Sequence, residues 1–286
     1  MTKELLAPAK LTLSLRVLGT RADGFHDLEA LTVSIDTPYD TLAVEPGPPG
    51  VRIEVTGPAA AGVPEGDENL VVRAAQSVLP DGAGLQIRLH KHIPSGAGLG
   101  GGSSDAAAVL RACAATFDIG PEVVERAAAD LGSDVPFCLH GGPAWMRGRG
   151  EVIEALTLPE AIRVLVVVPP FAIETAAVYR AWDELGGPRG DRVLPPPGRL
   201  SGLVSELAND LEPAAEHVEP QLGPFREALE AAVGAPALLA GSGSACWMPF
   251  DDPEERNQAA NRVESNLGVA AFLGFSLPAG PDRPYE

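Results

Sequence analysis

The chain has 286 residues, 45 % of them hydrophobic and 21 % charged, the composition of an ordinary folded protein with length enough for two domains. A formal net charge of −18 with no clustered Lys and Arg argues against nucleic acid and anionic membrane as partners. Three scattered cysteines argue against a disulfide framework or structural zinc, and with no membrane-length apolar run and no signal-peptide core the expected compartment is the cytoplasm.

Leu11, Leu13, Leu15 and Val17 alternate with Thr12, Ser14 and Arg16, which predicts a half-buried strand with Lys10 in phase on its polar face. Asp23-Gly24 marks a turn before a second apolar run over 28–35. Further strands are expected around 42–44 and 51–55, then a helix over 69–79 and a strand over 85–93. SSDAAAVLRACAA opens a helix with Ser and Asp in its first turn, and PEVVERAAADLG begins with proline and ends with glycine. Strands are expected between 144 and 156, and RVLVVVPP reads as a buried strand. The domain boundary is placed there, giving 1–157 and 158–276, with 277–286 as a disordered tail.

In the second half, ETAAVYRAWDEL is a helix and GGPRGDRVLPPPGRL a loop. Helices over 203–207 and 224–233 precede a strand pair, 238–240 and 246–250, around GSGSAC. A helix over 253–266 and a strand over 269–275 complete the chain. Strands and helices mixed without a regular βαβ repeat predict an α+β fold.

The most informative stretch is IPSGAGLGGGSSDAA, residues 93–107. Gly96-x-Gly98-x-x-Gly101 satisfies the dinucleotide fingerprint, but the parallel strand required about twenty residues on is replaced by a second helix. Gly96 and Gly101 also have the Walker A spacing, with Gly102 where its lysine belongs. A glycine segment ending in two serines at a helix start still offers free N–H groups and the positive end of a helix dipole. That predicts a phosphate site whose missing cation comes from elsewhere.

PSGAGLGGGSSDAA resembles the second signature of the small-molecule kinases that include galactokinase, homoserine kinase, mevalonate kinase and phosphomevalonate kinase. PAKLTLSLRVLGTRADGFHDL is similar to the first signature of one branch, the 4-diphosphocytidyl-2-C-methyl-D-erythritol kinases, and LAGSGSACW to the superfamily's third. LGSDVPF, ETAAVYRAW and NDLE also have counterparts there, so the resemblance spans about residues 7–275.

The resemblance implies an N-terminal domain like ribosomal protein S5 domain 2 and a ferredoxin-like C-terminal domain. ATP would place its phosphates on Pro94, Ser95, Gly96, Ala97, Gly98, Leu99, Gly100, Gly101, Gly102, Ser103 and Ser104. Lys10 is the implied active-site cation and Asp134 the implied catalytic carboxylate, accepting or orienting the acceptor hydroxyl. Thr12, Phe25, His26, Gly241 and Ser242 are the implied acceptor contacts, with Phe25 and His26 at the cytosine. Asn69 falls near the implied adenine pocket, while Asp105 reads as a first-turn residue facing the helix dipole.

The implied reaction is phosphorylation of the 2-hydroxyl of 4-diphosphocytidyl-2-C-methyl-D-erythritol, with Mg²⁺ accompanying ATP. Thr12 stands where the branch has asparagine, Phe25 where it has tyrosine, and the F-Q after the first hairpin is missing. Thr12 and the altered second strand keep open a kinase of this fold for another alcohol; the other alternative is a non-catalytic ATP- or metabolite-binding protein, which loss of Lys10 or Asp134 would have signalled. The oligomeric state is not legible.

Overall fold

The computed structural model describes residues 4–158, 160–187 and 207–278. Its first half is a six-stranded sheet. β1 (Glu4–Thr20) runs antiparallel to β2 (His26–Pro46), and β3 (Gly50–Thr56) follows. After α1 (Leu70–Val78) comes β4 (Gly84–His90), parallel to β3 and antiparallel to β2. Helices α2 (Gly101–Phe117), α3 (Pro121–Leu131) and α4 (Val135–His140) precede β5 (Ala144–Gly148) and β6 (Val152–Ala155), which extend the sheet beyond β2.

The chain then enters a second, four-stranded antiparallel sheet. It comprises β7 (Arg163–Val167), α5 (Thr175–Glu184), α6 (Glu212–Val218), α7 (Leu222–Val233), β8 (Leu238–Leu239), β9 (Cys246–Phe250), α8 (Pro253–Leu267) and β10 (Ala271–Phe275). The spatial order β10-β7-β9-β8 is that of a ferredoxin-like β-α-β-β-α-β unit. The α+β expectation is met.

The sheets share buried side chains. Leu11 and Leu13 of β1, Val33 and Ile35 of β2, and Val164, Val166 and Trp247 belong to one apolar cluster. This explains why β1 is not half-buried as its alternation predicts. From Ala9 to Leu15 both faces are covered: the apolar residues meet the second sheet, while Lys10, Thr12 and Ser14 are buried too. Ser14 Oγ donates to the Ala208 carbonyl at 2.7 Å and accepts from Ala208 N–H at 3.0 Å, so burial leaves this hydroxyl satisfied. Register shifts flank Lys10 and Thr12 in the β1–β2 pairing, and such bulges re-aim side chains.

The expected strands over 28–35 and 42–44 form one strand. Pro38 signals a break, but β1 follows β2 past it to the pair Glu4↔Ala43. α4 and α6 are additional; each has six or seven residues with a proline in its first turn, too short to carry a periodic signal. The expected loop over 186–200 and helix over 203–207 lie almost wholly outside the described residues. Leu277, read as the head of the tail, is 4 % exposed and donates its N–H to the Ser34 carbonyl; 279–286 lie outside the described residues. Among the described residues no helix is long and apolar enough to cross a membrane.

Candidate active site

Three segments meet over the polar stretch of β1. The first is the glycine loop, tied down by its carbonyls: Lys10 N–H donates to Leu99 at 2.9 Å, Ala245 N–H to Ala97 at 3.0 Å, and Ile173 N–H to Gly96 at 3.3 Å. Its N–H groups are left over. From Gly98 to Ser103 none finds an acceptor among the described residues. Gly100 caps α2 in the left-handed region, φ 66°. A row of free donors at a helix N-terminus is a site for anions.

Two glycines are dictated by space as well as by φ. A Cβ on Gly98 (φ +75°) would run into the Ala240 and Gly243 carbonyl oxygens, and one on Gly100 would stand 2.6 Å from Lys10 Cγ. Gly98→Ala should raise the KM for ATP at least about tenfold and lower stability by about 1–3 kcal/mol. Nucleotide titration and thermal melting check this; an unchanged KM would remove the loop from the nucleotide site.

The second segment is GSGS. Asn209 Nδ2 donates to the Leu239 and Gly241 carbonyls at 3.0 and 2.7 Å, and Thr175 Oγ1 lies 2.9 Å from Ser242 Oγ. The third segment carries Asp134. It stands at the N-cap of α4, but its side chain makes no capping bond, so a turn-capping role does not consume it. Its Oδ2 is 3.5 Å from Lys10 Nζ, with the lysine side chain 9 % and the aspartate 35 % exposed. Lys10 Nζ also donates to Thr12 Oγ1 at 3.3 Å.

These segments line a cavity of about 860 Å³. Lys10, Thr12, Phe25, His26, Pro94 to Ser103, Asp134, Gly241 and Ser242 all border it. Ser104 does not, being 1 % exposed inside α2. Asn69 does not either: its Oδ1 accepts from Val71 N–H at 2.8 Å and its Nδ2 donates to the Pro64 carbonyl at 2.6 Å, which caps α1.

Asp183 and Arg149 also line the cavity and belong to none of these motifs. His26 Nε2 lies 3.0 Å from Asp183 Oδ1, and its ring stacks on Tyr179 at 4.9 Å and meets the edge of Trp182 at 5.4 Å. Arg149 sits over the half-exposed Phe25 ring at 4.7 Å. Its turn packs against the segment bearing Asp134, since a Cβ on Gly150 would lie 2.9 Å from the Ser133 carbonyl oxygen. Arg149 and Lys10 bring positive charge to one cavity of a chain that carries −18 overall. ETAAVYRAW marks Tyr179 by resemblance, but only the fold brings α5 beside His26.

Asp105 corrects the sequence reading. It does not merely face the helix dipole; it is 1 % exposed and paired with Lys91 at 2.6 Å. Lys91 also binds Asp40. Removing the ammonium while leaving both carboxylates buried should be severe: Lys91→Met should cost about 3–5 kcal/mol, measured by denaturant unfolding, whereas a loss below 1 kcal/mol would contradict the burial.

Fold and cavity together define a small-molecule kinase of the GHMP class. Residues 69–142 match the GHMP kinases N terminal domain. The chain is 38 % identical over 270 residues to 4-diphosphocytidyl-2-C-methyl-D-erythritol kinase of Moorella thermoacetica, covering 90 % of this chain and 93 % of that one. It is similar to a crystal structure of 4-(cytidine 5'-diphospho)-2C-methyl-D-erythritol kinase, with 33 % identity, TM-score 0.76, and coverage of 96 % and 99 %. At 17 % identity, L. major mevalonate kinase shares the fold, TM-score 0.69, over 97 % of each chain. The chain belongs to the family of 4-diphosphocytidyl-2-C-methyl-D-erythritol kinases.

Proposed function

We propose that this chain, with 1–157 and 158–276 as its two domains, transfers the γ-phosphoryl group of ATP to the 2-hydroxyl of 4-diphosphocytidyl-2-C-methyl-D-erythritol. The observation that carries the reading is the pairing of Lys10 and Asp134, 3.5 Å apart, beside a loop whose N–H groups from Gly98 to Ser103 meet no acceptor among the described residues. The loop and the α2 N-terminus hold the β- and γ-phosphates, and Lys10 supplies the cation that the loop lacks.

The acceptor oxygen attacks the γ-phosphorus in line as the bond to the β,γ-bridging oxygen breaks. The hydroxyl proton passes to Asp134, and Lys10 stabilises the charge that develops between the two oxygens. Positioning and electrostatics do most of the work, because phosphoryl transfer offers little covalent chemistry to the protein. Mg²⁺ supplies charge neutralisation on the phosphates. Among the described residues no group of three acidic, His or Cys side chains gathers.

In this reading the cytosine lies against Phe25 and His26, the reacting hydroxyl lies at Lys10 and Asp134, and Arg149, which borders the same cavity beside Phe25, meets the diphosphate. Arg149→Ala should raise the KM for the acceptor about tenfold to a hundredfold, the worth of a charge-assisted hydrogen bond, and leave the KM for ATP unchanged. Steady-state kinetics in both substrates decides this.

The function is tested with γ-labelled ATP and a panel of alcohols. Label should appear on the cytidine-containing acceptor in preference to mevalonate or homoserine. Preferred labelling of an acceptor without cytidine would move the assignment to another kinase of this fold, the alternative that Thr12 and the altered second strand keep open.

A further inference from the structure

Beneath the phosphate loop lies an ion cluster that the transfer step does not use. Lys91, just past the end of β4, holds Asp40 of β2 and Asp105 of α2 on one ammonium, and none of the three is more than 3 % exposed. Asp40 is well satisfied: its Oδ1 accepts from His92 N–H at 2.5 Å and Ile93 N–H at 2.9 Å, fixing the strand's exit into the loop. Asp105 is not, because its Oδ1 is fully buried and meets no donor among the described residues. An oxygen without a donor is far more costly on a charged carboxylate than on a neutral carboxyl group.

The charge count points the same way. Two carboxylates on one ammonium carry −1 when all three are ionised. The cluster abuts the loop directly, since a Cβ on Gly101 would lie 3.1 Å from Lys91 Nζ. A bound nucleotide brings several more negative charges to the free donors of that loop. In a poorly solvated interior these charges repel the cluster strongly.

We propose that nucleotide binding at the glycine loop is coupled to proton uptake by the Asp40–Lys91–Asp105 cluster, with Asp105 holding the proton. This rests on the reading of the loop as the ATP site. Asp105 touches no phosphate; it is a positioning residue that sets the charge under the loop. The titratable groups around it are Lys91 after β4, Asp40 of β2 and the Cys138 thiol of α4. Burial is the largest influence on Asp105 and, with Asp40 reinforcing it and Lys91 opposing it, pushes the carboxyl up to about 8. Burial would lower Lys91, but the two carboxylates hold it above its ordinary value, so the ammonium stays charged.

The sign follows. Below about pH 8 Asp105 is already protonated in the free protein, and nucleotide affinity is flat with respect to this group. Above it the free protein has lost the proton that the complex retains, so affinity falls as pH rises, by up to about tenfold per unit.

The test is calorimetric titration of the full chain with ADP at about pH 8.5, in buffers of different ionisation enthalpy, which counts protons taken up on binding. The wild type should take up about half a proton or more, and so should Asp134→Asn, while Asp105→Asn should bind ADP without uptake and with pH-independent affinity. No uptake by the wild type, equal uptake by Asp105→Asn, or loss of uptake in Asp134→Asn would overturn the proposal. If Asp105→Asn does not fold, difference infrared spectra of the wild type decide: ADP should raise a protonated-carboxyl band, and its absence overturns the proposal. Failure of ADP to bind would overturn the nucleotide reading as well; binding without uptake overturns the coupling alone.

Discussion

Asp134→Asn should lower kcat by about 10²–10⁴-fold, the usual worth of a positioned proton acceptor, and leave both KM values within a few-fold. The amide keeps the size of the carboxylate and removes only its ability to take the hydroxyl proton. The fold should not suffer, because the side chain is 35 % exposed and caps no helix. Steady-state kinetics beside a thermal melt separates the two readouts. A variant within tenfold of the wild type would show that the carboxylate is dispensable and that the hydroxyl loses its proton by another route.

Lys10→Met should cost about 10³-fold in kcat, in the range found when a group that stabilises developing charge is removed. Methionine fills much of the lysine's volume, and the main-chain bond from residue 10 to the Leu99 carbonyl is untouched. The loss therefore reports the ammonium and not a collapsed loop. Joined to Asp134→Asn, it should cost little more than the worse single change, because the two groups act on one transition state. Multiplicative losses in the double variant would mean that Lys10 and Asp134 serve separate steps.

What was legible in the sequence was whatever is local. Gly98 and Gly100 read as a phosphate loop because free N–H groups and a helix start lie within ten residues of each other. Lys10 and Asp134 came from resemblance, since neither a strand lysine nor an Asp before Val-Pro announces its partner. The Lys91 cluster was not legible: Asp40, Lys91 and Asp105 are far apart in sequence, and each alone looks like an ordinary surface charge. Their meeting is decided by where β2, β4 and α2 cross. The polar residues of β1 misled for a related reason. Alternation shows that a strand has two faces, but not that the second face is covered by another sheet and by the segment at Ala208. Arg149 and Asp183 were invisible because what matters is the neighbour across the cavity.

The most direct measurement is ADP formation by the purified chain with ATP, Mg²⁺ and 4-diphosphocytidyl-2-C-methyl-D-erythritol, run with and without the acceptor and repeated with Asp134→Asn. Acceptor-dependent ADP release by the wild type, largely lost in the variant, is the predicted result. ADP release that ignores the acceptor, or that the variant retains in full, would contradict transfer to this alcohol through the Lys10–Asp134 pair.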